Sequence, residues 1–255
     1  GNADGISVSL NDSTGTIVTG NRAWRNTDDG FDFYNTSRAK DSLSTSPCLI
    51  DQNWSFENGY NSDGSINPTE AGDGCGFKLG GRRSGATGLY GGHTVTRCLS
   101  WSNKTSGFDD NSYNGGMLPM AIFNNVSFND ARSEVGYAFI IEHNASTVLR
   151  NNIVFIKGGR HDFDIELASQ SHNASNGAAL RSFSPTNFKV SLNDFQSIDD
   201  AIARGPRQAD GSLPVSDFLR LAKGSRLVGA GSTLGLPPTV PSNGEVVSLG
   251  AFEGP

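Results

Sequence analysis

The amino-acid sequence predicts an all-β chain that folds as a right-handed parallel β-helix (solenoid) with a short helix-containing C-terminal tail. Three observations predict it: one segment recurs about every 25 residues, each recurrence contains short alternating strands, and glycine makes up 32 of the 255 residues. No amphipathic helical segment separates the strands, which excludes a βαβ sheet. Stacked coils accommodate short strands that are joined by tight bends.

The first recurring block has asparagine at its first position and an aromatic residue at its fourth. In a solenoid, equivalent positions of successive coils stack about 4.8 Å apart, and stacked asparagine side chains form hydrogen-bonded ladders. We therefore expect a ladder at the bends, formed by Asn21, Asn53, Asn125 and Asn152, with Cys98 in place of the third member. The aromatic residues that we expect to stack inside the solenoid are Trp24, Phe56, Trp101, Phe128 and Phe155.

The second recurring block is a glycine followed by an alternating strand. Because successive side chains of a strand point to opposite faces, its aromatic residues are expected to face inward. Asp32, Lys78 and Asp109 then form one external column on three consecutive coils. The four copies are Gly30-Phe31-Asp32-Phe33, Gly76-Phe77-Lys78-Leu79, Gly107-Phe108-Asp109-Asp110 and Gly136-Tyr137-Ala138-Phe139.

The repeat ends near residue 182, and we expect residues 1–182 to form the β-helix catalytic domain. Residues 183–255 are expected to be a tail of the same domain that packs on the β-helix or caps it. Within the tail, the pattern of Ser197–Asp200 resembles a capping box, which predicts a short helix closed by Gly205-Pro206. Since Gly1 already belongs to a coil, we expect N-terminal coils to be missing from this chain.

The composition excludes several classes of partner. The formal net charge is −6, and no cluster of Lys and Arg is present to neutralise nucleic-acid phosphates. No apolar run is long enough for a transmembrane helix, and no signal peptide is visible at the start of the sequence. Cys48, Cys75 and Cys98 match neither a disulfide framework nor a spaced zinc site. We expect a monomer that binds neither nucleic acid nor a membrane.

Aspartates are expected to converge on the outside of two neighbouring coils. Asp4 and Asp29 each precede a block glycine, one coil apart, and Asp28 lies beside them at the bend. Asp32 follows two residues after its own glycine. Carboxylates this close repel by about 1–4 kcal/mol per pair, so a positive charge is required. Calcium suits oxygen ligands of irregular geometry. The alternative is a solvated acidic face that is neutralised by Lys78 alone.

Three motifs carry a resemblance to a known family. They are Gly-Asn-Ala-Asp4-Gly, Asn-Thr-Asp28-Asp29-Gly-Phe-Asp32-Phe and Gly-Phe-Lys78-Leu-Gly-Gly. In their order and spacing they resemble the central motifs of polysaccharide lyase family 9, the parallel β-helix pectate lyases. The resemblance extends to the Ser-Leu-Gly-Ala-Phe-Glu ending. We expect the chain to depart from the family in lacking its first coils and in carrying an insertion near residues 59–72.

The resemblance implies a function and a cofactor. It implies that Asp4, Asp28, Asp29 and Asp32 bind Ca²⁺ and that Lys78 is the catalytic base. The implied reaction is β-elimination in polygalacturonate, in which a proton leaves C5 of a uronate and a 4,5-unsaturated sugar remains. Because the base must be neutral, we expect an alkaline rate optimum.

Two arginines follow the expected base. Arg82 and Arg83 lie in a glycine-bounded loop, and arginine binds carboxylates with two hydrogen bonds, so we expect them to bind neighbouring uronates. The alternative is that they only solvate the loop. The expected partner is therefore an acidic polysaccharide, polygalacturonate or pectate. A polymer of this size is met outside the cell, so we expect a secreted protein.

Two other functions fit the same fold. A glycoside hydrolase of the polygalacturonase type also uses clustered carboxylates, and Asn26-Thr-Asp-Asp-Gly30 superficially resembles its motif. Paired acid and base carboxylates, however, need no lysine stacked beneath them. A non-catalytic calcium-binding β-helix, used for adhesion or carbohydrate binding, is the second alternative, because a fold does not determine a function.

Overall fold

In the computed structural model, the chain is a parallel β-helix against which the C-terminal residues pack. The structure describes residues 3–9, 12–35, 46–66, 72–111, 116–133, 136–142, 144–157, 161–165, 168–176, 188–242 and 246–254. The expected domain boundary after residue 182 lies outside these ranges. Every pairing between the described strands is parallel.

Three sheets run along the solenoid, and a complete coil contributes one strand to each. With strands numbered in chain order, the site sheet contains β1 (Ile6–Ser7), β4 (Phe31–Asp32), β7 (Phe77–Lys78), β11 (Phe108–Asp109), β15 (Tyr137–Ile140) and β18 (His161–Asp164). The tail sheet contains β3 (Arg22–Trp24), β6 (Trp54–Phe56), β10 (Leu99–Trp101), β14 (Val126–Phe128), β17 (Ile153–Phe155), β20 (Ala174–Ser175) and β21 (Phe188–Lys189). The third sheet contains β2 (Thr16–Thr19), β5 (Cys48–Asp51), β9 (Thr94–Thr96), β13 (Ala121–Phe123), β16 (Val148–Arg150) and β19 (Ser169–Ser171). A further pair joins β8 (Tyr90–Gly91) to β12 (Met117–Leu118).

The bends between the third sheet and the tail sheet carry the expected ladder. Asn125 Nδ2 donates to Asn152 Oδ1 at 3.0 Å, and Asn152 donates in the same way to Asn173 one coil further on. At Cys98 the backbone N–H donates to Asn125 Oδ1 at 2.9 Å. The cysteine therefore occupies a ladder position although it has no side-chain amide to continue the ladder. The ladder is confirmed. The residues before its members have left-handed backbone conformations: Gly20, Gln52, Arg97, Asn124, Asn151 and His172.

A second ladder, which was not predicted, lines the bends between the tail sheet and the site sheet. Asn26 donates to Asn58 at 2.8 Å, Asn58 to Asn103 at 2.8 Å, and Asn103 to Asp130 Oδ1 at 2.9 Å. Asp130 also accepts a hydrogen bond from Ser127 Oγ at 2.6 Å and is completely buried. Burial raises the pKa of Asp130 from 3.8 to about 6. The ladder therefore ends on an ionisable group in a low-dielectric environment.

The interior of the solenoid contains a column of phenylalanines, one from each strand of the site sheet from β4 to β18. Consecutive rings stack with centroids 4.8, 4.9, 4.6 and 5.3 Å apart. Stacked rings of this kind contribute about 0.5–1.5 kcal/mol per pair beyond the burial of their area. The column consists of Phe31, Phe77, Phe108, Phe139 and Phe163.

The aromatic stack expected inside the solenoid lies outside it. Trp24, Phe56 and Trp101 do stack, with centroids 5.7 and 4.2 Å apart, but Trp54, Phe56 and Trp101 belong to a separate apolar cluster with the C-terminal residues. The residue before each ring points inward instead, as Ala23 does. The prediction was wrong because it assigned the larger side chain to the interior. The tail provides a second apolar layer on the outer face of the tail sheet. The same exterior position is held by Phe128 and Phe155.

The fourth copy of the second block is displaced by two residues from its expected alignment. Phe139, rather than Tyr137, pairs with Phe108. Ala138 consequently takes the position of the block glycine. A Cβ on Gly107 would lie 2.7 Å from the Ala138 carbonyl oxygen and 2.7 Å from Asp130 Oδ2, so the preceding coils require glycine for their close approach.

The C-terminal residues cover the outer face of the tail sheet. Phe218 packs edge-on against Trp101, with ring centroids 5.2 Å apart, and the Trp101 indole donates to Asp200 Oδ2 at 2.8 Å. The expected helix after Ser197 differs from the structure, in which residues 201–204 form a turn. Among the described residues, the one helix is a single 3-10 turn at Leu192–Asp194. Here the Asp194 carboxylate accepts the Ser191 backbone N–H at 2.8 Å.

Two further findings concern the chain as a whole. No helix in the described ranges has the length and hydropathy needed to cross a bilayer. Cys48, Cys75 and Cys98 are all buried and are free thiols.

The raised pKa of Asp130 leads to a stability prediction. A carboxyl with a higher pKa in the folded state contributes most below pH 3.8, and that contribution is lost as the pH rises through about 6. Asp130→Asn supplies a neutral amide of the same shape. We expect it to raise the free energy of unfolding at about pH 8 by about 1–3 kcal/mol.

The gain should vanish near pH 4, where Asp130 is protonated in the folded state. Urea denaturation at both pH values measures it, with Asp217→Asn as an exposed control. A variant that keeps the pH dependence of the original chain would contradict the assignment.

Candidate active site

Three carboxylates from two neighbouring coils meet on the outer edge of the site sheet. Asp4 precedes β1, while Asp28 and Asp29 precede β4, and one carboxylate oxygen of each lies within 4.8 Å of the others. The pairing of Ile6 with Phe31 places Asp4 beside Asp29, whose backbone N–H donates to Asp4 Oδ1 at 3.3 Å. The in-register stacking of the coils therefore brings together three of the four aspartates that were expected to converge.

The next coil orients two of these carboxylates through its backbone. The Asp73 N–H donates to Asp28 Oδ1 at 2.7 Å, and the Cys75 N–H donates to Asp29 Oδ1 at 2.7 Å. Asp28 and Asp29 are buried, so these bonds fix side chains that water does not reach freely. Each carboxylate is thus held by one oxygen, which determines where its second oxygen points.

Lys78 lies beside the acidic group and points outward. Its neighbours in the chain, Phe77 and Leu79, are completely buried in the interior of the solenoid, which turns the lysine to the other face of the strand. The Lys78 Nζ atom is 3.2 Å from Asp29 Oδ2 and 2.6 Å from Asp73 Oδ2. The sequence placed Lys78 in a column between Asp32 and Asp109, whereas its ion pairs are with Asp29 and Asp73.

The external column is also present, although part of it is buried. Asp32 pairs with Lys78, and Lys78 pairs with Asp109 on the following coil. Asp32 lies next to the group of three carboxylates but is not one of its members. Its Oδ1 atom is buried and accepts no hydrogen bond from the described residues. Asp109, expected on the surface, is buried, and its Oδ1 accepts the Asn111 N–H at 2.7 Å.

Burial and charge act against each other in this site. Burial raises the pKa of Asp29 to about 7 and that of Asp32 to about 7, although Lys78 opposes both shifts. Burial and the neighbouring Asp28 raise the pKa of Asp4. For Lys78, burial lowers the pKa, but Asp29 and the other nearby anionic groups outweigh it and raise the pKa overall. The site holds more carboxylate than one ammonium neutralises.

Asp73 is the contact of Lys78 that was not predicted. It belongs to a Gly-Asp-Gly sequence that ends two residues before β7, where the insertion rejoins the solenoid. The direction of its side chain depends on the path of the insertion, and no repeat in the sequence specifies that path. The Asp-Gly dipeptide signals a turn but not a contact with Lys78.

The two arginines that follow Lys78 have different environments. The Arg82 guanidinium donates to the Gly88 carbonyl oxygen at 2.6 Å and lies 6.0 Å from the centre of the Tyr90 ring. Arg83 is exposed, and its backbone N–H donates to Asn35 O at 3.1 Å. Arg82 therefore braces the loop after β7, while the side chain of Arg83 extends into solvent.

The sequence is related to known pectate lyases. A sequence model described as "Pel9A-like, right handed beta helix region" matches residues 1–152. The chain is 31% identical over 253 residues to pectate lyase L of Dickeya dadantii (strain 3937), an alignment that covers 98% of this chain and 51% of that protein. The chain belongs to the Pel9A-like right-handed β-helix family. The chain is also 32% identical to pectate lyase L of Paenibacillus polymyxa (strain SC2), an alignment that covers 91% of this chain and 47% of that protein.

Solved structures agree with this assignment to the Pel9A-like family. The crystal structure of pectate lyase Pel9A superimposes with a TM-score of 0.72 at 29% identity, covering 99% of this chain and 54% of that one. A rhamnogalacturonan lyase superimposes with a TM-score of 0.58 at 26% identity, covering 87% and 52%. The right-handed parallel β-helix is confirmed. This Pel9A-like chain spans about half the length of the relatives it matches.

The environments of the two arginines predict different effects on stability. Arg82→Ala removes a hydrogen bond and a ring contact, and we expect the free energy of unfolding to fall by about 1–2 kcal/mol. Arg83→Ala should change it by less than about 0.5 kcal/mol, because the side chain is exposed. Urea denaturation of both variants measures the difference. Equal effects would contradict the bracing role of Arg82.

Proposed function

We propose that this chain is the catalytic region of a calcium-dependent pectate lyase, which cleaves polygalacturonate by β-elimination. One observation carries the proposal: Lys78 lies against carboxylates from two coils on the outward face of the site sheet. The relatives that share this fold over nearly the whole chain are named pectate lyases. A β-elimination requires both a base and a means of stabilising negative charge on the substrate carboxylate.

The acidic residues fit a calcium ion. Asp4, Asp28 and Asp29 supply hard oxygen ligands from two coils within 4.8 Å of one another. Asp32 has a buried carboxylate oxygen to which none of the described residues donates a hydrogen bond, and a cation would satisfy it. We propose that these four residues hold the ion. When bound, calcium supplies Lewis-acid stabilisation of a substrate carboxylate.

Lys78 is proposed to move the proton. Its neutral Nζ accepts the proton from C5 of a uronate, the electron pair of the C5–H bond forms the C4–C5 double bond, and the C4–O bond breaks. The leaving oxygen takes a proton from solvent. Because the surrounding carboxylates raise the pKa of Lys78, the neutral amine is scarce at neutral pH. The rate is therefore expected to rise into the alkaline range.

The polymer is proposed to lie along the outward face of the site sheet. Arg83 is exposed and follows Lys78 by five residues, and its guanidinium suits a uronate carboxylate. Arg82 donates to the Gly88 carbonyl oxygen, and we propose that its guanidinium also contributes to the same contact. An acidic polymer of this size implies action outside the cell, and the proposed site needs residues of one chain only.

The first test is incubation with polygalacturonate, followed by ultraviolet absorbance of the unsaturated product. We expect absorbance to increase with calcium, to stop when a chelator is added, and to resume when calcium is restored. Shortened polymer without absorbance would identify a hydrolase. Unchanged polymer length would indicate a protein that binds the polymer or calcium without catalysis. Either result would overturn the proposal.

Replacing the proposed base tests the mechanism. Lys78→Ala is expected to lower kcat by about 10²- to 10⁴-fold, the usual contribution of a general base. The change in absorbance per unit time measures it, with Lys223→Ala, an exposed lysine of the tail, as the matched control. Retention of most of the activity by the Lys78 variant would show that another group takes the proton.

Replacing one proposed ligand tests the metal site. Asp28→Asn keeps the acceptor for the Asp73 N–H but removes a charge, so calcium affinity should fall by about tenfold. Isothermal titration of the purified chain with calcium measures this affinity without substrate. Asp217→Asn should leave it unchanged. Equal affinities of the two variants would contradict the site.

A further inference from the structure

The chain leaves the solenoid after β6 and returns to it before β7 almost at the same point. Gly59 and Gly74, at φ 84° and 76°, mark the two ends. A Cβ added to Gly74 would lie 2.6 Å from the Gly59 Cα and 2.8 Å from the Lys104 Cβ, so a side chain has no room there. The two ends of the excursion are therefore packed against each other and against the next coil.

The next coil holds the returning segment by three consecutive carbonyl groups. Lys104 Nζ donates to Gly72 O at 2.7 Å, Thr105 Oγ1 donates to Asp73 O at 2.8 Å, and the Thr105 N–H donates to Gly74 O at 3.2 Å. Two adjacent residues thus bind the carbonyl groups of residues 72–74, the returning segment that we call the stem of the excursion. The backbone of Asp73 is fixed from one side.

From this fixed backbone, Asp73 contacts both parts of the candidate site. Its N–H donates to Asp28 Oδ1 at 2.7 Å, and its Oδ2 atom lies 2.6 Å from Lys78 Nζ. We propose that Asp73 is a positioning residue that sets the place of the Lys78 amine, and that Lys104 and Thr105 hold Asp73 for this purpose. The proposal rests on the proposed function, in which Lys78 is the base.

The two carboxylates that face Lys78 differ in their accessibility. The Asp29 side chain is 1% exposed, whereas the Asp73 side chain is 56% exposed. An amine bound by Asp29 alone would be drawn toward the buried acidic group, while Asp73 draws it toward the open face where a polymer binds. Asp73 therefore acts on the reaction through the position of Nζ.

Kinetic constants test the proposal. On the alkaline plateau of the rate, where Lys78 is neutral with or without Asp73, Asp73→Ala should lower kcat by about 10- to 100-fold, since an error of about 1 Å in the place of a reacting group has that effect. KM should change by less than about threefold, because the residue positions the base and does not hold the polymer. Asp73→Asn keeps an acceptor for Nζ and should recover part of the loss. Asp63→Asn, at the exposed tip of the same excursion, is the matched control and should be unchanged.

A double-mutant cycle tests the role of the stem. Lys104→Met keeps the apolar part of the side chain but loses the bond to Gly72, and it should lower kcat with KM unchanged. Because it acts through Asp73, the double variant should be about as slow as Asp73→Ala alone. Additive losses would overturn this role of Lys104.

A structural comparison separates this proposal from the proposed function. Crystal structures of the chain and of Asp73→Ala should show Lys78 Nζ withdrawn toward Asp29 in the variant. This result is obtained whether or not the chain cleaves polygalacturonate. An unmoved amine, or an unchanged kcat in an active enzyme, would overturn the proposal. A chain without lyase activity in which the amine moves would overturn only the proposed function.

Discussion

The register of the bends is the constraint on which the rest of this structure depends. At both kinds of bend a residue in the left-handed conformation precedes a side chain that bonds to its equivalent on the next coil, as in Asn125 to Asn152 and Asn58 to Asn103. A slip of one residue would turn every side chain of a strand to the other face. The ladders exclude this slip. The contacts of Asp4, Asp29 and Lys78 follow from the register that the ladders maintain.

The same register creates an electrostatic conflict. Stacking places aspartates close together at a surface that other coils partly cover. Burial, the largest cause, raises the pKa of Asp29, Asp32 and Asp109 to about 7 although Lys78 opposes it. A fold selected for stability alone would have little reason to collect such groups. Where local chemistry opposes stability, a functional site is the usual explanation. The ladders make the conflict tolerable because they hold the coils in place independently of the charges.

The sequence was sufficient for the features that repeat. The ladder beginning at Asn21, the inward face of Phe77 and the pairing of Asp32 with Lys78 all follow from equivalent positions on successive coils. The aromatic side chains represented by Trp101 were assigned to the wrong face, because the repeat shows that a position is apolar but not which apolar layer covers it. The tail supplies that layer from a distance of about 100 residues in the chain, as in the bond from Trp101 to Asp200.

Features that occur once could not be predicted in this way. The contact of Asp73 with Lys78 depends on an excursion that has no equivalent in the described parts of the other coils. The two-residue displacement at Phe139 places Ala138 where the repeat has glycine. The turn after Ser197 has a helix-like pattern, but its residues bind the solenoid instead, as Arg204 does through Glu57. Tertiary contacts there override the local preference of the chain.

The abutting ends of the excursion at Gly59 and Gly74 separate its length from the geometry of the coil. Lengthening a closed loop is inexpensive, since each doubling adds only about 0.6 kcal/mol of closure entropy. Substitutions, insertions or deletions at the tip can therefore change the outer residues while the two anchored ends of the excursion keep their geometry. The joint therefore allows the surface beside the candidate site to vary without any change in the register of the coils.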